Sequence, residues 1–185
     1  MSATAEEARR VLERADCLHD AAAVQRAYDR MAQQIAERYA ARRPLILCVM
    51  VGGLHATAEL TRRLAFPLEI DYLHATRYRG ATSGGGLLWR RQPDTARIAG
   101  RHVLVVDDIL DGGHTLVAIR EALAAMAPAS LQVAVLVEKR HERRAAGAHA
   151  ELVGLQVGDR YVFGCGMDYK EYWRQLPAIY AVKEA

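Results

Sequence analysis

Three carboxylates, two adjacent glycines and a hydroxyl crowd into one short stretch of the chain: Asp107, Asp108, Asp111, Gly112, Gly113 and Thr115. The residues before them, Val103-Leu104-Val105-Val106, form an apolar run that reads as a buried strand ending at Asp107-Asp108, and Thr115 to Met126 reads as a helix. A strand end that passes through two glycines into a helix leaves a ring of unpaired backbone N–H groups, backed by the positive end of the helix dipole. Such a turn seats an anion. Gly112 and Gly113 allow turn dihedrals that a side chain would block, and the Thr115 hydroxyl adds a further hydrogen bond. The stretch is not a G-x-x-x-x-G-K-[ST] phosphate loop, a pattern that occurs nowhere in the chain.

Carboxylates beside an anion seat repel a bare phosphate, so the ligand must offer them something else. Vicinal sugar hydroxyls suit an acidic pair, and a divalent cation can be shared between carboxylates and sugar oxygens. A phosphorylated ribose meets all of these demands. The competing reading is structural, with Asp111 capping the helix and the other acids closing the turn. A lone Asp-Gly would favour it. Three aspartates, two glycines and a threonine between a buried strand and a helix favour the ligand.

Positioning these groups takes an α/β framework. Thr4 to Arg14 and Asp20 to Ala41 read as helices, the second with Ala23, Ala27, Met31, Ile35 and Tyr39 at steps of four. After Pro44, Leu45 to Val51 is a continuous apolar run that suits a strand buried on both faces, followed by Gly52-Gly53 and a helix from His55 to Leu64. Leu68 to Tyr78 reads as a strand. The glycines of Gly80 to Gly86 then suggest a mobile loop. Leu131 to Val137, Glu151 to Val157 and the short Tyr161-Val162-Phe163 read as further strands. Strands alternating with helices at this spacing predict a mainly parallel twisted sheet flanked by helices, with ligands bound beyond the carboxyl ends of the strands. Both glycine pairs lie there.

Composition agrees with one folded domain over 1–185: 51% of the residues are hydrophobic, 25% are charged and the net charge is +3, which excludes disordered, collagen-like and coiled-coil classes. Cys17, Cys48 and Cys165 are odd in number and far apart, as in a reducing compartment. Met1 to Arg14 lacks the apolar core of a secretion signal, and no stretch approaches the ~20 apolar residues that span a bilayer. The expectation is a cytoplasmic protein with no membrane partner. The densest basic run, Lys139 to Arg144, reads as a solvated loop, so nucleic acid is not an expected partner.

Asp107-Asp108-Ile109-Leu110-Asp111-Gly112-Gly113-His114-Thr115-Leu116 resembles the phosphoribosyl-pyrophosphate signature of the type I phosphoribosyltransferases, and among these the hypoxanthine-guanine phosphoribosyltransferases match best. The resemblance runs from about Leu45 to Val182. It implies the type I phosphoribosyltransferase fold: N-terminal helices in 1–43, a core in 44–140, and a segment 141–185 that completes the sheet and a small hood built from both chain ends. It also implies the activity, transfer of a phosphoribosyl group from phosphoribosyl pyrophosphate to hypoxanthine or guanine, with magnesium as cofactor and a homodimer or homotetramer as the assembly. A regulatory homologue that binds RNA and nucleotide is the alternative.

Residue by residue, the resemblance implies that Asp107 and Asp108 hold the ribose hydroxyls and help place magnesium. Asp111 is then the catalytic carboxylate, and Gly112, Gly113, His114 and Thr115 cradle the 5′-phosphate. Met50-Val51-Gly52-Gly53 resembles the pyrophosphate loop, with a cis Met50-Val51 peptide and with Val51 where the family commonly has lysine. Arg174 touches pyrophosphate. Lys139 donates to the six-position oxygen of the purine, Tyr161 stacks on the base, Val162 meets its edge through the main chain, and Asp168 lies beside it and binds a second magnesium. Lys139 carries only donors, so adenine, with an amino group at that position, should be rejected. Arg77-Tyr78 stands where the family has a Ser-Tyr pair, and the Gly80 to Gly86 loop would close over the site. His114 makes the phosphate contact sensitive to pH near neutrality.

Overall fold

The computed structural model describes residues 3–77 and 87–183. Tyr78 and the Gly80 to Gly86 loop lie outside the described residues. Two helices open the chain, each started by a side chain that accepts an otherwise unpaired N–H. α1 (Ala5–Arg14) begins where the Thr4 hydroxyl accepts from the Glu7 N–H at 3.1 Å, and α2 (Ala21–Tyr39) where Asp20 accepts from the Ala23 N–H at 2.7 Å. Between them runs β1 (Asp16–His19). Then follow β2 (Leu45–Val49), α3 (Gly53–Thr61), β3 (Glu69–Arg77), β4 (Leu87–Arg91), the single turn α4 (Thr95–Ile98), β5 (His102–Leu110), α5 (His114–Ala124), β6 (Ser130–Lys139), β7 (Leu152–Val157), β8 (Val162–Phe163) and β9 (Ile179–Ala181).

Six strands form one sheet in the order β4-β3-β2-β5-β6-β7, parallel throughout except for the antiparallel edge strand β4. The apolar runs predicted as two-sided strands are that. Ile46, Leu104, Val106, Ala134 and Leu136 face α2 and α3, whereas Leu45, Leu47, Val103, Val105, Val133 and Val135 face α5, where Leu116, Ile119 and Leu123 close the opposite core. The order reverses between β2 and β5, since the chain winds from β2 out to β4 on one side and from β5 out to β7 on the other. Loops leaving the carboxyl ends of these two central strands therefore border a crevice.

A second sheet, β1-β9-β8, joins the two ends of the chain, pairing Asp16 with Ala181 and Cys17 with Tyr180. α1 packs on it through Ala8 against Phe163 and Tyr169. The Trp173 indole N–H donates to the Ala8 carbonyl at 2.8 Å, and Lys170 Nζ pairs with Glu7 at 2.8 Å.

Four elements have no counterpart in the sequence reading: β1, β4, α4 and β9. Several boundaries also move. β5 does not stop at Asp107-Asp108 but continues to Leu110, because Ile109 and Leu110 keep pairing with Val137 and Glu138. α5 starts at His114, one residue earlier than read, on an N-cap of Gly113, so Asp111 is not its cap. α3 likewise begins at Gly53 and stops at Thr61, short of Leu64.

Candidate active site

The loop that leaves β5 is built around Gly113, whose φ of 74° is a conformation that a side chain resists. A Cβ there would also come 3.1 Å from Leu110 Cδ1 and collide with the Ala148 side chain. No side chain caps α5, so the first N–H groups of the helix, next to Gly112, His114 and Thr115, have no side-chain partner. The turn is fixed from outside, since the Ala145 N–H donates to the Gly112 carbonyl at 2.8 Å. His114 is exposed and Thr115 half-buried at the first turn. A glycine turn leading into an uncapped helix start is a backbone arrangement that can seat an anion.

The loop that leaves β2 lies against it. The Met50-Val51 peptide is cis, as the resemblance implied, and the Val51 side chain points to solvent. Gly52 approaches the carboxylate of Asp108 so closely that a Cβ would lie 2.5 Å from Asp108 Cγ, and a Cβ at Gly166 would meet the Gly52 carbonyl oxygen and sit 3.1 Å from Asp108 Cβ. Asp108 is thus the point where the β2 loop, β5 and the 164–173 segment meet.

Asp107 and Asp108 are successive residues of a strand rather than parts of a turn. The Asp108 N–H donates to Asp107 Oδ1 at 2.9 Å. Burial, and then the charge of Asp108, hold the Asp107 carboxyl well above the ordinary carboxylate range, and burial raises Asp108 also, opposed by Asp107 and the charge of Arg174. Two poorly hydrated acids side by side call for a cation or for hydroxyl donors. Arg174 serves this corner: Nη2 lies 2.6 Å from Asp168 Oδ1, and Nη1 donates to the Gly166 carbonyl at 2.7 Å. Asp168 Oδ2 accepts from the Glu171 N–H at 2.8 Å.

Beside the anion seat is a cavity of about 260 Å³ lined by Asp108, Asp111, Lys139, Tyr161, Val162 and Asp168, among others. Its size suits a flat bicyclic base better than a drug-sized ligand. Tyr161 stands at its mouth, 50% exposed, held edge-on by Tyr169 with ring centroids 5.6 Å apart. Lys139 comes from the end of β6 and is 8% exposed, with Nζ 2.7 Å from Asp111 Oδ2. Asp111 Oδ1 lies 2.7 Å from His141 Nε2. Burial works to raise the Asp111 pKa, but the hydrogen bonds from Lys139 and His141 outweigh it and hold the carboxyl below its ordinary value. Asp111 is therefore a carboxylate at neutral pH.

Comparison with known proteins agrees with this geometry. A family model described as a phosphoribosyl transferase domain matches residues 14–171. The chain belongs to the phosphoribosyl transferase family. A hypoxanthine-guanine-xanthine phosphoribosyltransferase of Tritrichomonas foetus is 35% identical over 162 residues, covering 88% of each chain. A hypoxanthine-guanine phosphoribosyltransferase of Streptococcus pneumoniae is 33% identical over 84% of this chain and 86% of its own. Among solved structures, a hypoxanthine-guanine phosphoribosyltransferase of Bacillus anthracis superposes with a TM-score of 0.82 at 29% identity, over 91% of this chain and 97% of its own.

Within this phosphoribosyl transferase domain, all the sequence-derived site residues gather at the carboxyl ends of β2, β5 and β6 and on the facing 161–174 segment. Among the described residues no group of three His, Cys, Asp or Glu side chains converges as a self-sufficient metal cage. Asp107 and Asp108 nonetheless offer what a hard divalent cation needs, oxygen donors in a poorly hydrated place. Both Asp168 oxygens are already engaged, so a cation there would share them with Arg174 and the Glu171 amide. The basic run Lys139 to Arg144 is only in part the solvated loop that its composition suggested: Arg140, Glu142 and Arg143 are exposed. Lys139 and His141 turn into the site, and Arg144 is tied to Glu138 at 2.7 Å and to the Lys139 carbonyl at 2.7 Å. His141 is the residue that sequence reasoning missed; its one signal was its place two residues after Lys139.

Proposed function

We propose that the chain is a hypoxanthine-guanine phosphoribosyltransferase of purine salvage, which transfers the phosphoribosyl group of phosphoribosyl pyrophosphate to a 6-oxopurine and releases pyrophosphate. One observation carries the reading: the cavity beside the anion seat presents a carboxylate and an ammonium as adjacent partners, Asp111 and Lys139. A 6-oxopurine offers the complementary pair, an imidazole N–H and the six-position carbonyl. The base enters by parting the two, its N–H to Asp111 and its carbonyl to Lys139. Adenine presents an amino group to Lys139, and an unpaired buried charged donor costs about 1–3 kcal/mol or more.

In this reading Gly112 to Thr115 bind the 5′-phosphate, Asp107 and Asp108 take the ribose hydroxyls, Tyr161 stacks on the base and Val162 meets its edge. The Val51-Gly52 backbone and Arg174 neutralise the leaving pyrophosphate, which is the main electrostatic demand of the reaction. Asp111 receives the imidazole proton as the other ring nitrogen bonds to the anomeric carbon. Asp107 and Asp108, with Asp168 for a second ion, are the residues that would hold magnesium. When bound, the cation supplies charge neutralisation at pyrophosphate and sugar oxygens. The exposed apolar residues Ile70, Tyr72 and Leu88 on the outer face of β3 and β4 support association of the chain with itself as a dimer or tetramer. Among the described residues no helix is long and apolar enough to cross a membrane.

The test is the ultraviolet absorbance change on mixing the protein with magnesium, phosphoribosyl pyrophosphate and hypoxanthine, guanine, xanthine, adenine or uracil in separate reactions. Turnover with hypoxanthine and guanine is expected. Turnover with uracil alone, or with adenine in preference, would overturn the reading.

A further inference from the structure

The imidazole of His141 is buried, its side chain 4% exposed, although the segment around it is strongly basic. Its two nitrogens have different neighbours. Nδ1 accepts the Arg143 backbone N–H at 3.1 Å, and Nε2 lies 2.7 Å from Asp111 Oδ1. A nitrogen facing a backbone donor has to be the unprotonated one, so the proton sits on Nε2 and is donated to Asp111. A neutral imidazole satisfies both contacts.

The Asp111 carboxylate is therefore held by two donors, Lys139 on Oδ2 and His141 on Oδ1. In the reaction proposed above, Lys139 must turn to the six-position oxygen of the base. Once it does, the Asp111 carboxylate, which is 47% exposed, has lost one of its two anchors at the moment when its orientation matters. The geometry points to His141 as a positioning residue: by gripping Oδ1 it keeps Oδ2 aimed at the purine after Lys139 has let go. This rests on the functional reading, in which Asp111 takes the purine proton. In that step the ring nitrogen's lone pair forms the bond to the anomeric carbon, the bond from that carbon to the pyrophosphate oxygen breaks with its electron pair, and the proton of the other imidazole nitrogen passes to Oδ2. His141 does not take this proton, because Nε2 already carries one and Nδ1 is committed to Arg143.

The other charged groups around Asp111 do not duplicate the role. Asp108 on β5 and Asp168 across the cavity are acids, Tyr161 lies at the cavity mouth, and the Arg143 guanidinium is paired with Asp159 at 2.6 Å. Loss of the grip should act on the chemical step, since a misplacement on the order of 1 Å costs about a hundredfold.

The experiment compares His141→Gln, His141→Asn and His141→Leu with the wild type, measuring kcat, KM for hypoxanthine and for phosphoribosyl pyrophosphate, and the thermal midpoint. Leu removes the donor and Asn draws it back out of reach, so both should lower kcat at least about tenfold with little change in KM for phosphoribosyl pyrophosphate. Gln keeps an N–H at the reach of Nε2 and should recover most of kcat. Should Leu fail to fold, the contrast between Asn and Gln decides the matter. Equal kcat in all four proteins, equal impairment of Gln and Asn, or a loss confined to KM would overturn the proposal. An inactive wild type would strike down the functional reading itself and the proposal with it, whereas an active wild type with unimpaired Asn and Leu variants would remove only the role of His141.

Discussion

Replacing Lys139 by methionine keeps an unbranched side chain one atom shorter and deletes its charge and its donors. In the proposed reading the Lys139 ammonium, 8% exposed, would meet the six-position oxygen, and a hydrogen bond to a charged group is worth about 1.5–3 kcal/mol. At about 1.4 kcal/mol per factor of ten, kcat/KM for hypoxanthine should fall about ten- to a hundredfold. Adenine should not share this loss, because the thioether no longer opposes its amino group, so the hypoxanthine-to-adenine ratio should collapse by at least tenfold, the lower bound of that range. Stability should change little. Asp111 keeps His141, and an ion pair with so exposed a partner contributes about 1 kcal/mol at most, or about 2–4 °C in Tm at this chain length. The pH profile supplies a second readout: with one of its two donors gone the Asp111 carboxyl moves up, so the acid limb of kcat/KM should shift to higher pH. The assay is initial rates with both bases from pH 4 to pH 9, a range of about five units around the carboxylate and imidazole values, alongside thermal unfolding. If hypoxanthine and adenine slow by the same factor, Lys139 does not read the six-position and the reasoning fails.

Asp111→Asn should lower kcat by about 10²–10⁴ while the thermal midpoint stays close to wild type; rates within threefold of wild type, about half of one decade, would contradict its role as proton acceptor. Gly113→Ala forces a side chain onto a φ of 74° and into the Ala148 side chain, so a destabilisation of about 1–3 kcal/mol is expected, with KM rising for phosphoribosyl pyrophosphate more than for the base. A variant of unchanged stability would show that the turn is not strained in this way. Glu151 accepts Arg120 through both oxygens at 2.9 and 3.0 Å and the Val133 N–H at 2.7 Å, contacts that outweigh burial and hold its carboxyl below the ordinary range. Its folded-state pKa is depressed, so its stabilisation is present at neutral pH and is lost as the pH falls through the carboxylate range. Glu151→Gln should lower the midpoint at pH 7 and flatten the acid side of the stability profile; an unchanged profile would refute this.

The acidic stretch from Asp107 to Thr115 was legible because its parts are consecutive. Strand, turn and helix are each specified within a few residues, and the acids are fixed to that backbone. The two-sided strands were legible for a similar reason: five to seven apolar residues in a row have nowhere to go but between two layers. The strands β1 and β9 were not. Asp16-Cys17-Leu18-His19 has no local strand signal, and its partners are Ile179, Tyr180 and Ala181, at the far end of the chain. Non-local pairing leaves no mark in either segment alone. The edge strand β4 is hidden in a different way, as a short run beside glycines that pairs with β3 on one side.

Sequence alone therefore determined the α/β class, the glycine turn between β5 and α5 and the acids that border it, since each follows from local backbone chemistry and from which side chains shun water. Tertiary structure decided how those groups are wired. It brought the end of β6 beside the end of β5, so that Lys139 pairs with Asp111, and it turned His141 inward from a run that composition assigns to solvent. A charged side chain leaves water only when a partner is waiting, and the partner's position is set by the packing of the whole sheet rather than by its neighbours along the chain.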